Sequence, residues 1–198
     1  HAVLFDDIVR ANMWRRTRLH ATDPSDSLLL VYTSGTTVQQ KRAIISHANL
    51  CAGAAFYSDA AELSREGPIL ASAPLFHVTG LSGHIGAAIA AAAPLVLTYR
   101  FFPETVLDAI ERHRPVFTVA AITALAALID NPAFDRVRVA SLQTLFSGGA
   151  AIPPAVRDRV LACTGLMLRS VYGLTETSAP VTAAPASPPT PIDPATGA

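Results

Sequence analysis

What this sequence has little of narrows the field first. Its 198 residues include only two cysteines, Cys51 and Cys163, too few for a disulfide framework or for a zinc site built from thiolates alone. Free thiols suit a reducing compartment, so the expectation is a cytoplasmic protein, at most peripheral to a membrane. Charge is scarce at 15%, and 15 Lys plus Arg balance 15 Asp plus Glu. No basic surplus therefore points to nucleic acid or an anionic bilayer as partner. Low charge combined with 51% hydrophobic residues also excludes a disordered chain. One uncharged run, residues 78–99, is long enough to cross about 30 Å of hydrocarbon. It is made mostly of Ala and Gly, contains His84 and is broken by Pro94; because Ala inserts weakly, it reads as a buried helix running into a buried strand, and no transmembrane segment is expected. The start at His1 and the Pro/Ala-rich stretch 181–198 read as part of a larger domain.

Short apolar, β-rich runs alternate with helical patterns. The strand candidates are residues 28–32, 69–73, 95–99, 116–120, 142–146 and 166–171, mostly unbroken apolar runs of the kind that sheets covered on both faces require. Helical patterns fall at 48–63, 81–92, 103–114, 123–129 and 153–163. The helix at 103–114 carries Val106, Leu107 and Ile110 on one side and Asp108, Glu111 and Arg112 on the other. The last begins at prolines and stops at Gly165. Strand and helix in alternation predict an α/β fold: a mostly parallel sheet with right-handed crossovers and a motif-bearing core over 27–180. Ligands of such sheets bind beyond the carboxyl ends of the strands, which directs attention to the turns.

Four of those turns have suggestive chemistry. After the first strand, Tyr32-Thr33-Ser34-Gly35-Thr36-Thr37 crowds hydroxyls around a glycine, and Lys41 follows. Hydroxyls, backbone N–H groups and a lysine can cradle phosphate oxygens, although the spacing is not that of a Walker loop and an ordinary polar turn has the same composition. After the second strand, Pro74-Leu75-Phe76-His77 sets an imidazole in apolar company, suited to lining a pocket or to filling a core. Ser147-Gly148-Gly149-Ala150-Ala151 allows a flat ligand to approach the backbone. Tyr172-Gly173-Leu174-Thr175-Glu176-Thr177 gathers an aromatic face, hydroxyls and a carboxylate, a set that suits a base, a phosphate and a divalent cation.

In this order and at this spacing, the four motifs resemble those of the adenylate-forming superfamily, and the Pro74-Leu75-Phe76-His77 form is similar to that of its acyl-CoA synthetases, the fatty-acid–CoA ligases. The resemblance covers nearly all of this chain but only the central portion of that family's large N-terminal, AMP-binding domain, with the C-terminal domain absent. It implies that Thr33, Ser34, Gly35, Thr36, Thr37 and Lys41 hold the β- and γ-phosphates of ATP and that His77 stands beside the carboxylate and acyl pocket. It further implies that Gly149, Ala150 and Ala151 lie along adenine and acyl chain, that Tyr172 packs on adenine with Gly173 beside it in the cofactor-binding turn, that Thr175 touches the α-phosphate, and that Glu176 binds Mg²⁺. The implied reaction joins a carboxylic acid, in the first instance a fatty acid, to AMP and then to CoA, with the CoA site mostly outside this chain.

Two departures from the family pattern temper this. Where the family usually reads Thr-Gly-x-Pro-Lys-Gly, this chain reads Thr37-Val38-Gln39-Gln40-Lys41-Arg42. A β-branched Val38 in a glycine's left-handed conformation would store about 1–3 kcal/mol of strain, so weakened ATP binding is expected, with Val38→Gly restoring it. Only 32 residues precede Thr33, where the family has many more, and the expectation for this segment alone is little or no adenylation. The alternatives are a catalytically incompetent nucleotide- or acyl-binding remnant, and a carrier-protein-loading adenylation module. The latter is ranked lower because no Asp lies between Ser72 and Arg100.

Overall fold

The structure, a computed structural model, describes residues 5–13, 21–33 and 41–185. After helix α1 (Phe5–Asn12), an antiparallel hairpin forms from β1 (Ser27–Thr33) and β2 (Lys41–Ser46), in register from Leu29 opposite Ile45 to Thr33 opposite Lys41. Helix α2 (His47–Ala60) then starts at a reciprocal cap: the Ser46 hydroxyl accepts from the Asn49 amide, and the Asn49 side chain accepts from the Ser46 amide.

The main sheet has six strands, β3 (Ile69–Ala71), β4 (Leu95–Leu97), β5 (Phe117–Ala120), β6 (Thr144–Ser147), β7 (Leu168–Tyr172) and β8 (Thr182–Ala183). Their spatial order is β4-β3-β5-β6-β7-β8, with only β7 and β8 antiparallel. Between β3 and β4 the chain forms α3 (Val78–Gly80), a π-helical turn (Leu81–Gly86) and α4 (Ala87–Ala91); α5 (Pro103–His113), α6 (Ile122–Ile129) and α7 (Pro154–Thr164) make the later crossovers. The α/β architecture expected from the alternation is therefore present, as a mostly parallel sheet.

Each face of the sheet buries its own cluster. Val106, Leu107 and Ile110 of α5, Leu125 and Leu128 of α6 and Val160 of α7 pack against Leu70, Leu145 and Leu168 of the strands. On the other face, Tyr57 of α2 and Ala87 and Ala88 of α4 meet Ile69, Phe117, Val119 and Phe146. Helix α7 stops at Gly165, φ +78°, the conformation that a glycine terminator supplies.

Three expectations are corrected. The run 28–32 is not a strand of the parallel sheet: Leu28, Leu30 and Tyr32 are exposed while Leu29 and Val31 are half-buried, the alternation of a hairpin with one face on the core. The hydroxyl-rich stretch thus joins two antiparallel strands rather than following a parallel one. The helix expected over 81–92 starts earlier, at Val78, and passes through the π-helical turn. The segment 181–198 is not all loop, because Thr182 and Ala183 pair with Tyr172 and Val171.

Candidate active site

The turns after β3, β5, β6 and β7 leave the same edge of the sheet, since those strands run parallel. The chain passes from β3 to β4 on one side and then back across to β5 on the other. The border between β3 and β5 is therefore the point where the winding reverses, the crevice in which open α/β sheets take their ligands. The two strands are paired there only through Ile69 and Phe117. Beyond that pair, side chains bridge the gap: the Thr118 hydroxyl donates to the Leu70 carbonyl at 2.8 Å and shares a 2.7 Å hydrogen bond with Ser72 Oγ.

His77 stands on the turn after β3. Its backbone amide donates to the Pro74 carbonyl at 3.0 Å, and its Nδ1 accepts from the Thr79 amide at 3.2 Å, capping α3. With Nδ1 an acceptor, the assigned tautomer carries its proton on Nε2, which an exposed ring can offer to a carboxylate. Phe76 beside it is 85% exposed. The turn lies close under Gly80, whose absent Cβ would collide with the Pro74 carbonyl.

The hairpin reaches this edge through a third cluster, in which Ile45 of β2, Val78 of α3 and Ala179 are buried together with Leu29, Val31 and Leu50 against them. β2, which begins at Lys41, runs alongside a 3₁₀ turn formed by Thr175–Thr177. Thr33 and Lys41 face each other at the end of the hairpin where residues 34–40 join its strands, with Lys41 exposed. Ser34, Gly35, Thr36 and Thr37, like Val38, lie outside the described residues.

Ser147-Gly148-Gly149 ends β6. Gly149 has φ +82° with nothing within 4 Å of where a Cβ would stand, and Ala150 and Ala151 are exposed beside it. Tyr172 at the end of β7 is 61% exposed. Gly173 packs against Ala179 and Pro180. The 3₁₀ turn sets Thr175 half-buried and Glu176 exposed, tied by the Thr177 hydroxyl to the Leu174 carbonyl at 3.0 Å. Among the described residues no three metal-ligating side chains cluster. One free carboxylate on a turn fits a Mg²⁺ that arrives on nucleotide phosphates and takes one or two protein ligands.

Several residues at this edge carry no sequence signal. Ser82, fully buried on the π-helical turn, donates to the Ser178 carbonyl at 2.7 Å. Ser178 and Ala179 have φ +59° and +38°, a left-handed pair of non-glycine residues just after the Thr175–Thr177 turn, the kind of strain that persists only where its surroundings enforce it. His84 is fully buried, and among the described residues neither of its ring nitrogens nor Ser147 Oγ has a hydrogen-bond partner. Burial holds the His84 pKa down at about 4, opposed by nearby backbone of Val119 and Ala73. The glycines of this helical run are packed: a Cβ on Gly83 would meet Val119 and Tyr57, and one on Gly86 would meet Ala54. They bring this helical run close to α2 and to the sheet.

The fold and its switch-point crevice define a doubly wound α/β protein of the class that takes its ligands beyond the carboxyl ends of the strands. The particular family follows from comparison: the profile described as AMP-binding enzyme matches residues 4–198, and the chain belongs to that family. It is 36% identical over 154 residues to an indoleacetate–CoA ligase of Aromatoleum aromaticum, covering 78% of this chain and 30% of that protein. It is 33% identical over 165 residues to a long-chain-fatty-acid–CoA ligase of Bacillus subtilis, covering 81% and 29%. Among solved structures, ATP-bound MatB from Rhodopseudomonas palustris superposes with a TM-score of 0.74 at 25% identity over 83% of this chain and 32% of that one. The chain thus spans about 30% of the length of the curated relatives it matches.

Proposed function

We propose that this chain is the central portion of the N-terminal domain of an ATP-dependent carboxylic acid–CoA ligase. In the first step a carboxylate oxygen attacks the α-phosphorus of ATP and pyrophosphate leaves. In the second the CoA thiol attacks the acyl carbon and AMP leaves. His77 Nε2–H would orient the carboxylate, Tyr172 would stack on adenine with Gly173 next to it and Gly149, Ala150 and Ala151 alongside, and Thr175 would meet the α-phosphate. Glu176 would hold Mg²⁺, which neutralises phosphate charge when bound. Lys41, with Thr33 and the hydroxyls of Ser34, Thr36 and Thr37 around Gly35, would receive the pyrophosphate. Such a site works by orientation and charge neutralisation rather than by covalent chemistry on the protein.

The observation that carries this reading is the meeting, at one edge of the sheet, of the His77 turn, the Gly148-Gly149 turn and the Tyr172–Thr177 turn, with the Lys41 hairpin seated on Val78 and Ala179. The acid is proposed to be a hydrophobic carboxylic acid. A long-chain fatty acid remains the specific reading, and the names of the relatives favour aromatic acids equally. The test is acid-dependent exchange of pyrophosphate into ATP by the full-length protein carrying this segment, with fatty and aryl acids in parallel. Glu176→Gln is expected to reduce exchange about 100-fold, the scale of losing one electrostatic stabiliser. Exchange that is absent for every acid, or unaffected by Glu176→Gln, overturns the reading.

A further inference from the structure

The Thr175–Thr177 turn belongs to a closed excursion from the sheet. The Val181 amide donates to the Tyr172 carbonyl at 2.7 Å and β8 pairs with β7, which fixes the base of the loop 173–180. The returning limb of that loop is strained. Ser178 and Ala179 both take left-handed backbone, φ +59° and +38°, a conformation that residues with a Cβ adopt reluctantly and rarely in succession. Both are nevertheless buried, at 1% and 7% exposure. Strain of this kind persists only where the surroundings enforce it.

Two residues from different elements supply the enforcing contacts. Ser82, fully buried on the π-helical turn, donates its hydroxyl to the Ser178 carbonyl at 2.7 Å. Gly53, buried in the middle of α2, lies against the same peptides. A Cβ there would stand 2.8 Å from the Ser178 carbonyl oxygen, 2.9 Å from that of Ala179 and 3.1 Å from Ser82 Oγ. Glycine in a helix interior is less favourable than alanine, and what it permits here is the approach of two carbonyl oxygens. On the other side, the Ser178 amide donates to the Thr175 carbonyl at 3.1 Å and the Ala179 amide to that of Leu174 at 3.2 Å. Those bonds run from the seated residues into the turn bearing Thr175 and Glu176. We propose, resting on the ligase reading above, that Gly53 and Ser82 are positioning residues: together they form a seat that holds Ser178 and Ala179 left-handed and so sets where Thr175 and Glu176 stand. The seat acts on the nucleotide side of the site. The His77 turn is closed by bonds that involve neither residue, from the His77 amide to the Pro74 carbonyl and from the Thr79 amide to Nδ1.

The experiment compares Ser82→Ala, Gly53→Ala, Ser178→Gly and the double variant Ser82→Ala/Ser178→Gly in the full-length protein, by amide hydrogen exchange and by steady-state kinetics. Ser82→Ala and Gly53→Ala are expected to speed exchange about tenfold at the amides of 177–179 while that of His77 is unchanged. Each should raise KM for ATP about tenfold and leave KM for the acid within about twofold. Ser178→Gly, free of the left-handed penalty, should change neither KM by more than about twofold, and added to Ser82→Ala it should bring both exchange at 177–179 and KM for ATP back to within about threefold of wild type. A hydroxyl that merely satisfies a buried carbonyl predicts no such rescue, because the carbonyl persists in the double variant. Absence of rescue therefore overturns the seat, as do equal changes at both turns or in both KM values, or no change in Ser82→Ala. Ser82→Ala removes a single oxygen, so the test does not depend on Gly53→Ala folding. Because hydrogen exchange needs no turnover, the two readings fail separately. Faster exchange confined to 177–179 and rescued by Ser178→Gly, in a protein without acid-dependent activity, removes the ligase reading and leaves the seat. An active enzyme without that local change removes the seat and leaves the ligase reading.

Discussion

The two faces of the sheet are built to different rules. Toward α5, α6 and α7 the buried side chains are apolar, and Thr118, which faces the same side, bonds its hydroxyl to Leu70 and Ser72. Toward α2 and the π-helical turn, an aromatic trio fills the core, Tyr57, Phe117 and Phe146 with ring centroids 5.7–6.1 Å apart. Arg169 lies over Phe146 at 4.5 Å while its guanidinium donates to the Ala60 and Ala184 carbonyls. On this second side His84 is buried without a partner among the described residues. The first face is almost wholly apolar, its one unpartnered polar atom among the described residues being Ser147 Oγ, which shares the side of β6 taken by Leu145; the second buries a whole imidazole without a partner among the described residues. Unsatisfied burial is tolerated where a moving part or a ligand later meets it.

Core truncation gives the largest effects and tests whether the aromatic face is also a stabilising one. Ile110 and Phe117 are both fully buried, on opposite faces. Phe117→Ala should cost about 3–5 kcal/mol and Ile110→Ala about 2–5 kcal/mol, with Phe117 the larger because two ring neighbours lose contact as well. Urea denaturation midpoints measure both. A smaller loss at Phe117 would mean that the aromatic side is loosely packed, and the contrast between the faces would have to be redrawn.

The next effect is confined to the α2 side and depends on pH. His84 has a folded-state pKa of about 4 against an ordinary 6.5, so the unfolded chain binds the extra proton between those values. Stability is full above pH 6.5, falls as pH drops from 6.5 to 4, and changes no further below that on account of this group; the amplitude is about 3 kcal/mol. Subtracting the urea midpoints of His84→Gln from those of the wild type at pH 7 and pH 5 isolates it. A wild-type curve parallel to that of the variant would show that the imidazole is not held neutral by burial.

Sequence and structure part company along this same division. The α5–α7 face was legible because its residues repeat with the period of their elements: Val106, Leu107 and Ile110 are buried as the amphipathic pattern requires, and Gly165 terminates α7. The order of the motif turns was legible for a similar local reason, each being a compact run of turn-forming residues. The hairpin was not, since Leu28-Leu29-Leu30-Val31 reads as an unbroken apolar run until its partner Lys41–Ser46 shows which side chains face out. Nor could Ser82 and His84 be recognised within an Ala/Gly-rich run. Ser82 bonds to the Ser178 carbonyl, 96 residues away in sequence, and His84 is recognisable only by its complete burial; no local pattern encodes either.

The smallest effects come from the neighbouring glycines after β6, and they separate packing from access. A Cβ on Gly148 would stand 2.7 Å from both Val171 Cγ2 and the Val171 carbonyl oxygen, on the aromatic side of the sheet. The carbonyl belongs to β7 and cannot rotate away, so Gly148→Ala should cost about 1–3 kcal/mol as overpacking. Gly149 meets nothing within 4 Å, and its cost is the left-handed backbone at φ +82°, about 1–2 kcal/mol for a residue with a side chain. Their effects on activity should run the other way. The new methyl of Gly149→Ala points into the open space proposed for the adenylate, and should raise KM for ATP roughly tenfold, equivalent to about 1.4 kcal/mol. Gly148→Ala should lower the denaturation midpoint more and KM for ATP should change less. If Gly149→Ala leaves KM for ATP unchanged in an active enzyme, the nucleotide does not pass over this turn, and the adenine contacts assigned to Gly149, Ala150 and Ala151 would have to be sought elsewhere along the edge, nearest at Tyr172.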